Sequence, residues 1–157
     1  MKKIFINLAV LMVLLFTAGF ATELRAQTVA GSIGNGSITR GKTVRASVVL
    51  SIPGGLHVNS AHPNSEYSVP TSVRATASGA KIGPVSYPRG KDRKFSFSEN
   101  SINVYEGRTT FGFNVTVPAG YDGSSISVRV VVKYQACTEE VCYPPRTKEI
   151  TLKAKVK

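Results

Sequence analysis

The stretch SISVRVVVKY, from Ser125 to Tyr134, alternates apolar and polar residues along almost its whole length. Successive side chains of a β-strand point to opposite faces, so a period of two predicts a strand with one buried face. The residues expected on that face are Ile126, Val128, Val130 and Val132.

The same period recurs in short segments bounded by Gly, Pro, Asn and Asp, and no stretch shows a convincing helical period. Regularly spaced short strands predict an all-β sandwich. The segments are TVRASVVLSI (43–52), GLHVNSA (55–61), SVPTSVRATA (68–77), KIGPVSYP (81–88), TTFGFNVTVP (109–118) and EITLKAKVK (149–157).

The N-terminus is typical of a secretory signal peptide. Lys2 and Lys3 precede an apolar run, Ile4–Phe20, and small residues follow it. We predict a signal peptide over residues 1–26, with cleavage after Ala21 as the alternative, and a single domain over residues 27–157. A retained membrane anchor is the competing interpretation, but the run is slightly short for a span of about 20 residues.

Removal of residues 1–26 would lower the formal net charge from +11 to +9, since it takes away three cations and Glu23. A basic surface favours acidic partners or anionic membranes. Export argues against a nucleic-acid partner. The rest of the chain has no apolar stretch of membrane length, so the mature form is not expected to be membrane-embedded.

The two cysteines, Cys137 and Cys142, lie in YQACTEEVCYPP with four residues between them. In an exported protein an even cysteine count indicates a disulfide, here as a link across a hairpin turn. Loop entropy gives such a six-residue loop about 2 kcal/mol, against about 4 kcal/mol for a loop of about 60 residues. This bond is therefore poorly placed as a staple and better suited to opening and closing.

The flanking residues indicate which role a redox pair would take. Glu139 and Glu140 disfavour a nearby thiolate, and no helix N-terminus is predicted to lower the thiol pKa. The pattern favours a disulfide that a partner's thiolate attacks over a thiol that attacks first. Tyr134, Tyr143 and Pro144 are expected to frame the pair.

Two other functional classes remain open at this point. One is a non-redox binding module in which the disulfide is structural. The other is a Cys/His metal site, since His57 and His62 with the two cysteines have spacings that zinc tolerates. His57 itself is either a group that stabilises a thiolate or moves a proton, or a half-buried structural histidine. Asn59 would point to the same side of a strand.

The polar segment from Pro88 to Gly107 is long for a connection, and such loops are often functional. Its basic cluster (Arg89, Lys91, Arg93 and Lys94) is interpreted as a solvated face. Phe95 and Phe97 either form a short inward-facing strand or cover a site.

Three motifs resemble the N-terminal periplasmic domain of the DsbD family of bacterial thiol:disulfide interchange proteins. They are YQACTEEVCYPP, GGLHVNSAHP and VSYPRGKDRKFSFSENSINVYEG, and the resemblance extends over roughly Val29 to Lys157. The cysteine motif is the specific one. Some family members have a longer segment between the cysteines than the four residues found here.

The resemblance implies an immunoglobulin-like β-sandwich in which Cys137 and Cys142 cycle between disulfide and dithiol without a cofactor or metal. It implies periplasmic location, thioredoxin-like partners, and a membrane or soluble protein as the reductant. It also implies a cap loop over the pair, matching Lys91 to Tyr105, with Phe95 or Phe97 as the shield. Full-length members continue into a membrane domain and a thioredoxin domain, so electrons are expected to come from separate proteins.

Overall fold

A computed structural model describes residues 26–157 of the chain. The predicted signal peptide lies outside the described residues, apart from Ala26. Within them the chain forms twelve β-strands and no helix long and apolar enough to cross a membrane. The strands are β1 (Thr28–Ile33), β2 (Ser37–Ile38), β3 (Thr43–Ser51), β4 (His57–Asn59), β5 (Ser72–Ala77), β6 (Lys81–Ile82), β7 (Lys91–Arg93), β8 (Ile102–Tyr105), β9 (Arg108–Thr116), β10 (Ser125–Tyr134), β11 (Ala136–Cys137) and β12 (Arg146–Val156).

Two four-stranded sheets form the body of the domain. One has the strand order β1-β3-β9-β6 and the other β2-β12-β10-β5. Their pairs are antiparallel except for β2 with β12, which is parallel. The all-β architecture and the immunoglobulin-like sandwich predicted from the sequence are confirmed.

The core lies between these two sheets. Along the strands of each sheet, apolar side chains that point into the core alternate with side chains that face solvent. Phe111 and Phe113 of β9 are fully buried, whereas Thr110 before them and Asn114 after them point to the opposite face and are exposed. On β10 the buried face is the one predicted, and Tyr134 extends it at the end of the strand. Burial of these apolar side chains is the main favourable contribution to folding.

Strand β1 was not predicted, because Ala30, Gly31 and Ser32 weaken its apolar pattern. It nevertheless pairs with β3 over its full length. A Cβ atom at Gly31 would collide with the backbone carbonyl of Ser47, so this strand needs glycine where it crosses β3. The close approach of the two backbones is a tertiary requirement that the local sequence does not express.

A third sheet, in the order β11-β4-β8-β7, stands at the end of the sandwich where β10 runs into β11. It includes part of the segment from Pro88 to Gly107, which the sequence indicated only as a long polar connection. There β7 and β8 form a hairpin, with Lys91 opposite Val104 and Arg93 opposite Ile102. The charged residues of β7 concealed this strand in the sequence.

We predict that Phe111→Ala destabilises the domain by about 3–5 kcal/mol, because truncating a fully buried phenylalanine leaves a cavity. The measurement is urea denaturation followed by circular dichroism. Thr110→Ala, at the neighbouring exposed position, should change the free energy of unfolding by less than about 0.5 kcal/mol. Equal effects of the two substitutions would contradict the assignment of the buried face.

Candidate functional site

The two cysteines are joined across a tight turn. Cys137 ends β11 and is bonded to Cys142, with an S–S distance of 2.04 Å and a Cα–Cα distance of 4.0 Å. Thr138 organises the turn: its hydroxyl accepts hydrogen bonds from the N–H groups of Glu140 and Val141, at 3.2 and 3.1 Å. Its own N–H donates to the carbonyl of Val141. The disulfide thus lies on a hairpin turn, as the sequence predicted.

The two sulfur-bearing residues differ sharply in exposure. Cys137 is 0% exposed, whereas Cys142 belongs to the exposed residues of the turn. Val141 and Tyr143, on either side of Cys142, are also exposed, at 54% and 45%. A thiolate approaching from solvent therefore meets the Cys142 side of the bond.

His57 lies directly opposite Cys137 in the antiparallel pair of β4 and β11. Residues paired in this way project their side chains from the same face, with Cβ atoms about 4.5–5.5 Å apart. His57 is only 3% exposed. Burial lowers its pKa below the usual value, Glu139 and Glu106 oppose that effect, and Arg93 adds to it. The imidazole next to Cys137 is therefore neutral at pH 7.

Phe95 covers His57. Their rings stack with centroids 4.2 Å apart and an interplanar angle of 16°. Phe95 follows β7, is 2% exposed, and packs in a small cluster with Ile102 and Val104 of β8. Phe97 stacks on Phe95 with ring centroids 5.2 Å apart and is 44% exposed. Neither phenylalanine belongs to a strand, so the covering arrangement is found and the inward-facing strand is not.

Arg93 connects this hairpin to the cysteine turn. Its guanidinium contacts Glu106 at 2.6 Å and Glu139, which lies between the two cysteines, at 3.4 Å. These groups are partly exposed, and such pairs contribute about 0–1 kcal/mol each. The link therefore contributes little to the stability of the domain. The interpretation of Arg93 as a solvated residue was wrong, because β7–β8 pairing brings it to the turn.

Asn59 has a structural role at the other end of β4. Its side-chain amide donates to the carbonyl of Val69 at 3.1 Å and to the Gln135 side-chain oxygen at 3.2 Å. Gln135 in turn donates to the carbonyl of Tyr143 at 3.2 Å. This chain of hydrogen bonds fixes the segments on both sides of the disulfide. Gln135 was missed as a site residue, although it stands in the YQAC motif.

The three residues predicted to frame the pair, Tyr134, Tyr143 and Pro144, differ in exposure. Tyr134 is fully buried at the end of β10, and burial raises the pKa of its phenol. Tyr143 donates its backbone N–H to the carbonyl of Ala136, which closes the cysteine turn at 2.8 Å. Tyr143 and Pro144 present exposed surface next to Cys142.

His62, the second histidine of the predicted metal pattern, lies exposed in a turn, and its backbone N–H donates to the Ser60 hydroxyl. Across residues 26–157, no three side chains of His, Cys, Asp or Glu come together as metal ligands.

The comparison with family models identifies the chain. The model described as "Thiol:disulfide interchange protein DsbD, N-terminal" matches residues 33–154. The chain belongs to the DsbD N-terminal family. The match spans both sheets of the sandwich and includes the cysteine turn, the His57 strand and the cap hairpin, by which we mean residues 91–105.

Solved structures agree with the fold of this DsbD N-terminal domain. The N-terminal periplasmic domain of ScsB from Proteus mirabilis superposes with a TM-score of 0.51 at 12% identity. The superposition covers 82% of this chain and 44% of that one, so the chain spans less than half of the ScsB structure. A family 123 glycoside hydrolase from Clostridium perfringens gives a TM-score of 0.39 at 8% identity, over 83% of this chain and 27% of that one. That value is too low to support a conclusion.

No curated protein matches the chain in sequence.

We predict that Phe95→Ala increases the rate at which dithiothreitol reduces the Cys137–Cys142 disulfide several-fold, because it uncovers His57 and the buried sulfur beside it. The measurement is stopped-flow or quenched-flow reduction at constant pH. Phe97→Ala is the control, since Phe97 is already 44% exposed and stacks on Phe95 instead of His57. A rate unchanged by Phe95→Ala would show that the ring does not limit access.

Proposed function

We propose that this DsbD N-terminal domain is a periplasmic electron carrier whose Cys137–Cys142 pair cycles between disulfide and dithiol. DsbD-family domains interact with thioredoxin-like proteins, which supplies the class of partner. The observation that carries the proposal is the asymmetry of the pair: Cys142 is exposed on a turn, while Cys137 is buried opposite His57. A structural disulfide has no need of this arrangement. A two-step exchange uses the exposed Cys142 as the point of attack and the buried Cys137 as the leaving group.

The exchange follows from which sulfur is accessible. A donor thiolate attacks the Cys142 sulfur, a bond forms between them, and the Cys137–Cys142 bond breaks with Cys137 leaving as a thiolate. The donor's second thiolate then attacks the donor sulfur that is bonded to Cys142, and Cys142 leaves as a thiolate. The donor dithiol becomes a disulfide, and this pair becomes a dithiol, with two electrons and two protons transferred. Reduction of a partner disulfide is the same sequence in reverse.

We assign proton transfer at the buried sulfur to His57. A thiolate at Cys137 is costly in a position without water, so it needs a proton as it forms and must lose one before it attacks. His57 is the titratable side chain that pairing places opposite Cys137. Since burial keeps its imidazole neutral, it accepts the Cys137 proton in the attacking direction. In the leaving direction the imidazole first takes up the proton of the incoming donor thiol and then gives it to the Cys137 thiolate.

The cap hairpin controls access to this chemistry. Phe95 on His57 and Arg93 on Glu139 keep the hairpin over the inner half of the pair. A docking partner displaces contacts that are individually weak, so the closed form protects the dithiol without blocking exchange. Protection matters for a carrier, because its electrons must reach a specific partner and not any oxidant in solution.

We predict that Cys137→Ser leaves Cys142 able to form a stable mixed disulfide with a thioredoxin-like partner, because the resolving thiol is gone. Non-reducing electrophoresis and mass spectrometry after incubation with such a partner would detect the adduct at Cys142. Cys142→Ser is the matched control and should give far less adduct, since Cys137 is 0% exposed. Absence of an adduct in both single variants would overturn the carrier proposal.

We predict that His57→Phe, which keeps an aromatic ring under Phe95, changes the pH profile of the Cys137 attack. The rate of thionitrobenzoate release from a Cys142 mixed disulfide measures this step. In the native protein the rate should level off at a pH below the ordinary histidine pKa, because burial lowers the pKa of the His57 imidazole. In the variant it should keep rising toward the ordinary cysteine pKa of about 8.5, with a loss of about tenfold at pH 7.

His62→Phe is the control for this experiment, because His62 is exposed and lies in a different turn. Its profile should match that of the native protein. Superimposable profiles for His57→Phe and the native protein would remove His57 from the mechanism while leaving the cysteine pair intact.

A further inference from the structure

Two cations of β12 lie on the core-facing side of their sheet. Leu152 and Ala154 of this strand are buried between the sheets, and Lys148 and Arg146 follow on the same face by the two-residue period. Tyr134, which faces Arg146 across the β10–β12 pair, is buried on this side as well. The core-facing side of β12 therefore ends in two cations, with Lys148 partly buried and Arg146 exposed, instead of apolar residues.

These cations border an open cleft of about 400 Å³ between the ends of the two sheets. Its walls are mainly apolar and include Leu56, Ala136, Tyr143 and Pro144. None of the residues that line it is acidic, and among residues 26–157 neither Arg146 nor Lys148 forms a salt bridge. The volume falls in the range of small-ligand sites, and the charge calls for an anion.

A buried hydroxyl provides a second, independent sign of a ligand site. Tyr134 lines the cleft, is 0% exposed, and its hydroxyl lacks a hydrogen-bond partner. It is the one buried side-chain polar atom in the described part of the chain with this property. Buried polar groups are nearly always paired, because an unpaired one costs about 1–3 kcal/mol. The hydroxyl is closed off from solvent, so an acceptor oxygen entering the cleft between Tyr134 and Arg146 would satisfy it once the side chains that cover it shift.

We propose that this cleft binds a segment of the redox partner that carries a carboxylate next to an apolar side chain. The carboxylate would contact Arg146 and Lys148 and accept the Tyr134 hydrogen bond, and the apolar side chain would pack on Leu56 and Pro144. The inference rests on the proposed function, because the occupant is held to be the chain that attacks Cys142. Tyr143 and Pro144 follow Cys142 directly, so a partner bonded there reaches the cleft within two or three residues, at about 3.5 Å per residue.

The test uses short peptides with one cysteine activated as its thionitrobenzoate disulfide. One peptide carries Glu-Leu two residues from the cysteine, and its matched control carries Lys-Leu at the same place. Each peptide is made in two versions, with the dipeptide before the cysteine or after it. Reaction with the reduced protein is followed by release of thionitrobenzoate. The acidic peptide should react at least about fivefold faster, and the ratio should shrink as salt is raised from about 20 to about 500 mM, since exposed charges are screened.

Three variants locate this preference. Arg146→Gln with Lys148→Gln should bring the ratio close to one. Lys153→Gln with Lys155→Gln removes the same charge from the exposed face of β12 and should preserve it. Tyr134→Phe should lower the ratio without loss of stability, because it deletes only an unpaired hydroxyl. If the Arg146→Gln/Lys148→Gln variant fails to fold, the ratio measured with Tyr134→Phe still tests the proposal.

The outcomes separate this inference from the proposed function. If the reduced native protein releases thionitrobenzoate from neither peptide, the carrier proposal fails. If it reacts equally with the acidic and basic peptides, the cleft is not a partner site, while the carrier proposal stands. If the native protein binds sodium octanoate and the Arg146→Gln/Lys148→Gln variant does not, while saturating octanoate leaves the native ratio unchanged, the cleft holds a small carboxylate and a peptide occupant is ruled out.

Discussion

The pairing of β4 with β11 is the contact on which the arrangement of the site depends. It is only two residues long, yet it places His57 opposite Cys137. Because the side-chain period of a strand is two, a shift of one residue would turn His57 to the other face of the sheet. Asn59 and Gln135 hold this register through their side-chain hydrogen bond, and Gln135 also holds Tyr143 beyond the second cysteine. The redox pair is thus attached to the sandwich by polar contacts at its edge.

The disulfide owes its accessibility to being outside the main core. The large buried side chains lie between the two four-stranded sheets, whereas Phe95, Ile102 and Val104 form a separate small cluster under the cap hairpin. A cluster of this size contributes much less to stability than the main core, so the cap hairpin is held less firmly than the sandwich. Arg93 supplies a similarly modest electrostatic contact.

Charge is distributed to suit two kinds of contact. Around the cysteine turn, two carboxylates, Glu139 and Glu106, lie near His57 with one cation, Arg93. The cleft beside Tyr143 has cations without carboxylates. In the proposed complex the cysteine turn performs the exchange, and the cationic cleft supplies selectivity for the partner, because opposite charges align the two proteins before the sulfur atoms meet.

Much of this was determined by the sequence alone. The alternation of apolar and polar residues in β9, β10 and β12 specified these strands and their buried faces. Because side chains of a strand alternate between two faces, only one placement puts all the apolar residues in the core. The cysteine spacing specified a disulfide across a turn, and the motif around it specified the family. The weakly patterned strands β1 and β7 could not be predicted in the same way, because small or charged residues conceal an extended segment whose partner lies elsewhere in the chain.

Only the tertiary structure decided which cysteine faces solvent, because Cys137 ends a strand that pairs with β4 whereas Cys142 lies in the exposed turn. The same holds for the stacking of Phe95 on His57, for Arg93 on Glu139, and for the position of Arg146 and Lys148 at the open end of the sandwich. Each joins segments that pairing brings together from distant parts of the chain. A sequence records such pairs only as separate residues, and their meeting is a consequence of sheet register.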